Sequence, residues 1–224
     1  MLRIVCINLA EQPQHQPREK QKSQLVATVE NINPHILVIK NAQAKVDLCD
    51  GKDQGLQLYE ATKIFSSYHY SIRATQGDEK IGTAILAKFP IMEKHRIKVN
   101  TSDGRPVTFL RSTFDRPLGT FDLYVVDLSA IKTGTGTLGE ASAFLSTGNV
   151  LSVISGSATN NINPFSNVGF ISATAGDETH QSEEHFWLSS QIAQEFNKLE
   201  LEESEFVKAY VLELNIKMQE VNVS

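Results

Sequence analysis

The chain has 224 residues, a formal net charge of -5, and 41% hydrophobic against 21% charged residues. That length supports one large domain, 1–224, with a well-buried core, and the composition excludes a disordered chain or a fibrous repeat. The acidic balance provides no general field for phosphate backbones, so nucleic acid is a disfavoured partner unless a local basic patch supplies one.

The first segment, LRIVCIN (2–8), is apolar and β-branched and reads as a buried strand. It is too short, with its flanks, to be the core of a signal peptide, and no run in the chain approaches the ~18 apolar residues of a membrane span. Cys6 lies inside this strand, and with Cys49 makes up the full cysteine content. Two buried thiols are expected rather than a disulfide, which suits a reducing compartment. The expectation is a soluble, cytoplasmic protein.

EKQKSQLVATVENIN (19–33) places Leu25, Val26, Val29 and Ile32 at helical spacing, and Pro34 stops the helix. HILVIK (35–40) is a second buried strand, so the chain opens strand, helix, strand, as a layered α/β domain does. From residue 68 the segments YHYSIR (68–73), IGTAILAK (81–88), IMEKHRIKV (91–99), PVTFLRSTF (106–114) and TFDLYVVDL (120–128) follow with short turns. Strands so closely linked are expected to be mostly antiparallel. KTGTGTLGEASAFLSTGN (132–149) is rich in turn residues, with a short helical stretch at 140–145. Its glycines lack the lysine of a P-loop and the spacing of a dinucleotide fingerprint.

NVLSVIS (149–155), VGFISA (168–173), EHFWLSS (184–190) and EFVKAYVLELNIK (205–217) read as further strands, and LEESE (201–205) as a charged, solvated connector. Two mostly antiparallel sheets packed face to face and flanked by helices, a four-layer α/β/β/α sandwich, would bury these strands.

The order of these segments resembles the endonuclease/exonuclease/phosphatase superfamily, with the deoxyribonuclease-I-like fold. IGTAILAKFPI (81–91) is similar to the family's Gly-x-Ala-Ile-Leu-Ser-x-x-Pro-Ile strand pair. The resemblance runs over nearly the whole chain and implies hydrolysis of phosphate esters with a divalent metal, usually Mg²⁺. It also implies where the chemistry should lie. Asn8 matches the asparagine that ends the first strand and contacts metal or phosphate. PHILVIKNAQ (34–43) resembles the strand ending Leu-Gln-Glu, whose glutamate is the principal metal ligand, but Lys40 and Asn41 stand there.

The other positions depart similarly. DLYVVDLSAI (122–131) resembles the strand ending Asn-Thr-His-Leu, with Ser129 in place of the histidine. SVISGSATN (152–160) resembles the strand ending Gly-Asp-Phe-Asn, with Ser157 and Thr159 at the polar positions and Asn160 one residue further on. EEHFWLSS (183–190) resembles Ile-Asp-Tyr-Ile-Trp-x-Ser, with Glu184 and His185 at the Asp and Tyr positions. SEFVKAYVLEL (204–214) resembles Ser-Asp-His-x-Pro-Val, with Glu205 and Phe206 in place of the Asp-His pair.

Both histidine positions of the family pattern are therefore lost. A general acid or base contributes roughly 10²- to 10⁴-fold, and metal-assisted charge stabilisation is often larger. The reading is a pseudoenzyme: a binding or interaction module for an unknown protein or a small anionic ligand. No cofactor is expected. Asn8, Lys40, Asn41, Ser129, Ser157, Thr159 and Asn160 would line its anion cleft. The alternative is a residual phosphoesterase or nuclease using Mg²⁺ or Mn²⁺, with Asn8, Glu184, His185 and Glu205 as catalytic candidates and Asn8, Asn41, Glu184 and Glu205 as metal ligands. Displaced acids such as Asp127, Asp177, Glu178 or Glu183 could rebuild a metal site in that case. His180 and His185 have no regular zinc spacing, and each candidate also has a plain structural role open to it.

Overall fold

The structure, a computed structural model, describes residues 1–11, 18–45, 52–76, 79–100, 106–115, 120–128, 145, 151–157, 163–173, 184–203 and 207–216. In chain order these form β1 (Leu2–Asn8), α1 (Arg18–Ile32), β2 (Ile36–Lys45), α2 (Gln54–Thr62), β3 (Ser67–Gln76) and β4 (Glu79–Ala87). There follow β5 (Ile91–Asn100), β6 (Pro106–Phe114), β7 (Phe121–Asp127), β8 (Ser152–Ser157), β9 (Phe170–Ser172) and β10 (Glu184–Ser189). A short α3 (Ser190–Ala193) leads into β11 (Phe196–Glu203) and β12 (Lys208–Leu214). The strands make two six-stranded sheets, in the orders β11-β12-β1-β2-β4-β3 and β5-β6-β7-β8-β10-β9. The chain divides into two compact units, one of Leu2–Ile91 and Lys198–Glu213, the other chiefly Met92–Asn197.

In the first sheet, β1 and β2 are parallel, with Ile4 opposite Ile36 and Asn8 opposite Lys40. The crossover between them is α1, which buries Val29 and Ile32. Ile4 to Ile7 and Ile36 to Ile39 are buried without alternation, as central strands covered on both faces require. β4 then pairs antiparallel with both β2 and β3. The helix α2 has no counterpart in the sequence reading. Its first turn contains Gly55, a poor helix former, and depends on Asp53, whose Oδ1 accepts from Leu56 N at 2.9 Å.

The same unit holds its first strand to its last through Arg3. Its Nε and Nη2 donate to Glu213 Oε1 at 2.9 and 2.7 Å, and its Nη1 donates to the Ile32 carbonyl. Burial pushes Glu213 up, but hydrogen bonds and charge from Arg3, with Lys198, hold it below its ordinary value. His35 Nδ1 accepts from Arg3 N at 3.1 Å. Burial first, then the charges of Lys88 and Arg3, lower His35 from 6.5 to about 4.

In the second sheet β7 and β8 are parallel, while β6 with β7, β8 with β10, and β9 with β10 are antiparallel. Its core gathers on Trp187, whose ring meets Phe165 edge-on at 5.0 Å among Phe109, Tyr124, Val126 and Ile154. Gly156 makes room for it: a Cβ there would lie 2.7 Å from the indole and 2.8 Å from Val126 Cγ1.

The sheets are mostly antiparallel as expected, with β1–β2 and β7–β8 as parallel pairs. Two expectations need correction. LEESE is no plain connector, because β11 runs to Glu203, its half-buried Leu199 and Leu201 set among charges. The strand read at 168–173 is only Phe170–Ser172. The expected 140–145 helix lies outside the described residues apart from Leu145. Among the described residues, no helix is long and apolar enough to cross a membrane.

Two outcomes follow from this packing. Gly156→Ala should destabilise the fold by about 1–3 kcal/mol through overpacking, read as a lower urea midpoint; an unchanged midpoint would refute the close approach. His35, whose folded pKa lies below its unfolded 6.5, contributes stability that is complete above 6.5 and is lost as pH falls toward 4. The slope should reach at most about 1.4 kcal/mol per pH unit, less where solvent screens the half-buried ring. His35→Asn, which keeps an acceptor for Arg3 N, should flatten urea midpoints over that window while leaving the later, more acidic loss due to Glu213.

Candidate functional site

Two bulges shape the end of the first sheet. The β2–β4 ladder runs Lys40 to Thr83, then Ala42 to Gly82, leaving Asn41 as an extra residue with φ 55°. The β3–β4 ladder runs Ile72 to Gly82, then Ala74 to Ile81, leaving Arg73 as an extra residue. The two bulges flank β4 at Gly82. Asparagine tolerates the left-handed region better than other residues with a Cβ, so Asn41 suits its bulge. Gly82 is required by close approach, since a Cβ would stand 2.3 Å from the Ser71 carbonyl oxygen and 2.8 Å from the Tyr70 ring.

The bulged side chains meet. Arg73 Nη2 donates to Asn41 Oδ1 at 2.7 Å, and Asn41 Nδ2 donates to Asn8 Oδ1 at 2.7 Å. Asn8 Oδ1 also accepts from Ala10 N at 3.2 Å. Asn8 and Lys40, opposite each other in register, are both buried. Of the sequence candidates, Asn8, Lys40 and Asn41 are thus brought together, and Arg73 is a member the sequence reading missed. Alternation through YHYSIR cannot place Arg73, because the bulge shifts the phase at that residue.

This corner does not fit a divalent metal. Mg²⁺ sheds water reluctantly and is held by carboxylates and phosphates. Here the oxygen at the glutamate position is a neutral carboxamide already accepting from a guanidinium. A second cation would face Arg73 at close range.

The second sheet carries the other described candidates. Asp127 stands opposite Ser157 in the β7–β8 register, and Ser157 opposite Glu184 in the β8–β10 register. The two acids share one face across these strands, about 10 Å apart at Cα from two strand spacings. Glu184 is buried. Ser155, on the same face, has a buried Oγ without a hydrogen-bond partner among the described residues.

His185 is the next residue after Glu184 and points to the opposite face, where its ring stacks on Trp187 at 5.6 Å. Glu184 and His185 therefore do not form one constellation. Ser129, Thr159, Asn160 and Glu205 lie outside the described residues, as do Cys49, Asp177, Glu178, His180 and Glu183. Among the described residues, no group of three or more His, Cys, Asp or Glu side chains could hold a metal ion.

No protein-family profile matches the sequence, and no curated protein matches it either. Solved structures do match. An endonuclease/exonuclease/phosphatase family protein from Leptotrichia buccalis superposes with a TM-score of 0.69 at 10% identity, covering 96% of this chain and 100% of that one. The mannosyl-6-phosphatase Bt3783 of Bacteroides thetaiotaomicron gives 0.60 at 13%, covering 96% and 99%. The human Nocturnin catalytic domain, with bound sulfate, gives 0.64 at 13%, covering 94% and 92%. The fold is that of the endonuclease/exonuclease/phosphatase superfamily, the deoxyribonuclease-I-like α/β sandwich.

The bulge geometry makes a specific forecast. Asn41→Ala loses two hydrogen bonds and places an ordinary Cβ in the left-handed region, whereas Asn41→Gly loses only the bonds. The alanine variant should be less stable than the glycine variant by about 1 kcal/mol in urea unfolding; the reverse order would rule out the bulge.

Proposed function

We propose that the protein is a catalytically inactive member of this fold that binds a small oxyanion, of the phosphate or phosphate-ester class, without a divalent metal. The observation that carries this reading is the Arg73–Asn41–Asn8 chain, in which a guanidinium occupies the neighbourhood of the family's metal ligand. Arginine presents a planar fork of donors suited to phosphate oxygens. Arg73 and Lys40 supply positive charge at a corner whose other two members are carboxamides. The sulfate on the Nocturnin catalytic domain is consistent with an oxyanion on this fold. Ser129 and Phe206, at the histidine positions of the family pattern, supply no imidazole for proton transfer. A reducing, cytoplasmic setting belongs to the same reading, with Cys6 as a buried thiol.

A second reading has one observation in its favour. Asp127 and Glu184, both in register with Ser157, put two carboxylates on one sheet face. That arrangement is the basis for a metal-dependent phosphoesterase with a rebuilt site, and a phosphatase stands among the structural neighbours.

Calorimetry on chelator-treated protein separates the two. Inorganic phosphate should bind saturably with no metal added, and Arg73→Ala should weaken it about tenfold or more, as expected for loss of a charge-assisted contact. Mg²⁺ and Mn²⁺ should show no saturable heat. Metal binding that Glu184→Gln abolishes would replace this reading with the phosphoesterase.

A further inference from the structure

Among the described residues, β5 ends one sheet order and β11 ends the other. Each therefore presents one row of backbone N–H and C=O groups with no neighbouring strand. Their charges are inverse. Over Ile91–Asn100, β5 carries Lys94, Arg96 and Lys98 against one acid, and over Phe196–Glu203, β11 carries Glu200, Glu202 and Glu203 against one base. Both strands are largely exposed. Arg96 and Lys98 make no ion pair among the described residues, and neither does Glu202, whereas Glu200 is shared with Lys198 at 2.7 Å and Glu203 with Lys208 at 3.2 Å.

Charged edges normally keep sheets apart. Here the charges oppose β5 against β5 and β11 against β11, and leave the mixed pairing open. One antiparallel register satisfies both faces at once. With Lys98 opposite Glu200 and Arg96 opposite Glu202, the same alignment sets Val99 opposite Leu199, Ile97 opposite Leu201 and His95 opposite Glu203. Two opposite-charge pairs then fall on one face, and two aliphatic pairs with the His95–Glu203 pair on the other, combinations that directly opposed cross-strand positions favour.

We propose that a second copy of this chain docks β11 on β5 in that register, joining the two sheets edge to edge. The contact is heterologous, with different surfaces on the two partners, so repetition gives rings or open chains rather than an isologous dimer. It is independent of the anion corner, none of whose residues lie in β5 or β11.

Sedimentation velocity on the intact protein tests this. Association should appear as concentration rises to about 100 µM and weaken at least tenfold when salt is raised from about 20 to about 500 mM, because screening shortens the reach of the charge pairs. Arg96→Glu with Lys98→Glu should sediment as a monomer, and so should Glu200→Lys with Glu202→Lys. All four sites are on the two edges, and circular dichroism checks that both variants fold. An equimolar mixture of the two variants should associate again, because each mixed contact then has opposite charges. A wild type that stays monomeric at low salt would overturn the proposal. So would association insensitive to either reversal, or a mixture that stays monomeric.

Discussion

The end of the first sheet depends on two extra residues, one inserted in each neighbour of β4, on successive sides of Gly82. A one-residue insertion reverses which side of a strand each later side chain takes. Because β2 and β3 both insert at Gly82, Asn41 and Arg73 can meet across the strand between them, and Asn41 can still reach Asn8. The absent Cβ of Gly82 admits Ser71 and Tyr70. The chemistry at residue 41 is thus coupled to the residue at 73. A carboxylate at 41 would meet a guanidinium before it met a metal, so restoring the acid alone would produce an ion pair within the protein.

Much of the architecture was legible because central strands advertise themselves. ILVI (36–39) and LYVV (123–126) are unbroken apolar runs, and only a strand covered on both faces needs such a run. The helix over residues 18–32 could be read from its spacing and from Pro34. Less legible were elements whose reason lies elsewhere in the chain. β11 is a strand because β12 offers it an edge, and its own letters, alternating leucine with glutamate and lysine, look like a solvated connector. The helix α2 is set by the Asp53 cap, a single residue in a polar stretch.

The candidate site divides in the same way. Asn8, Lys40 and Asn41 could be found from sequence, since they fall at the ends of recognisable strands. Arg73 could not, because its place is created by a break in periodicity. Adjacency in sequence also misled in one case. Glu184 and His185 are neighbours in the chain, but a strand turns successive side chains to opposite faces. One belongs with Asp127, and the other with Trp187 in the core.

The pairing of Arg3 with Glu213 has a consequence for the order of events during synthesis. β1 is made first, yet one of its two neighbours, β12, is the last strand described. For most of the time the chain is emerging, LRIVCIN has β2 on one side and an open, apolar edge on the other. Such an edge is a template for mispairing. The nascent protein therefore passes through an interval in which a buried strand is half covered, and any block to synthesis before β12 leaves β1 in that condition. Closure comes late, when Glu213 reaches Arg3 and the sheet gains the strand that shields its beginning.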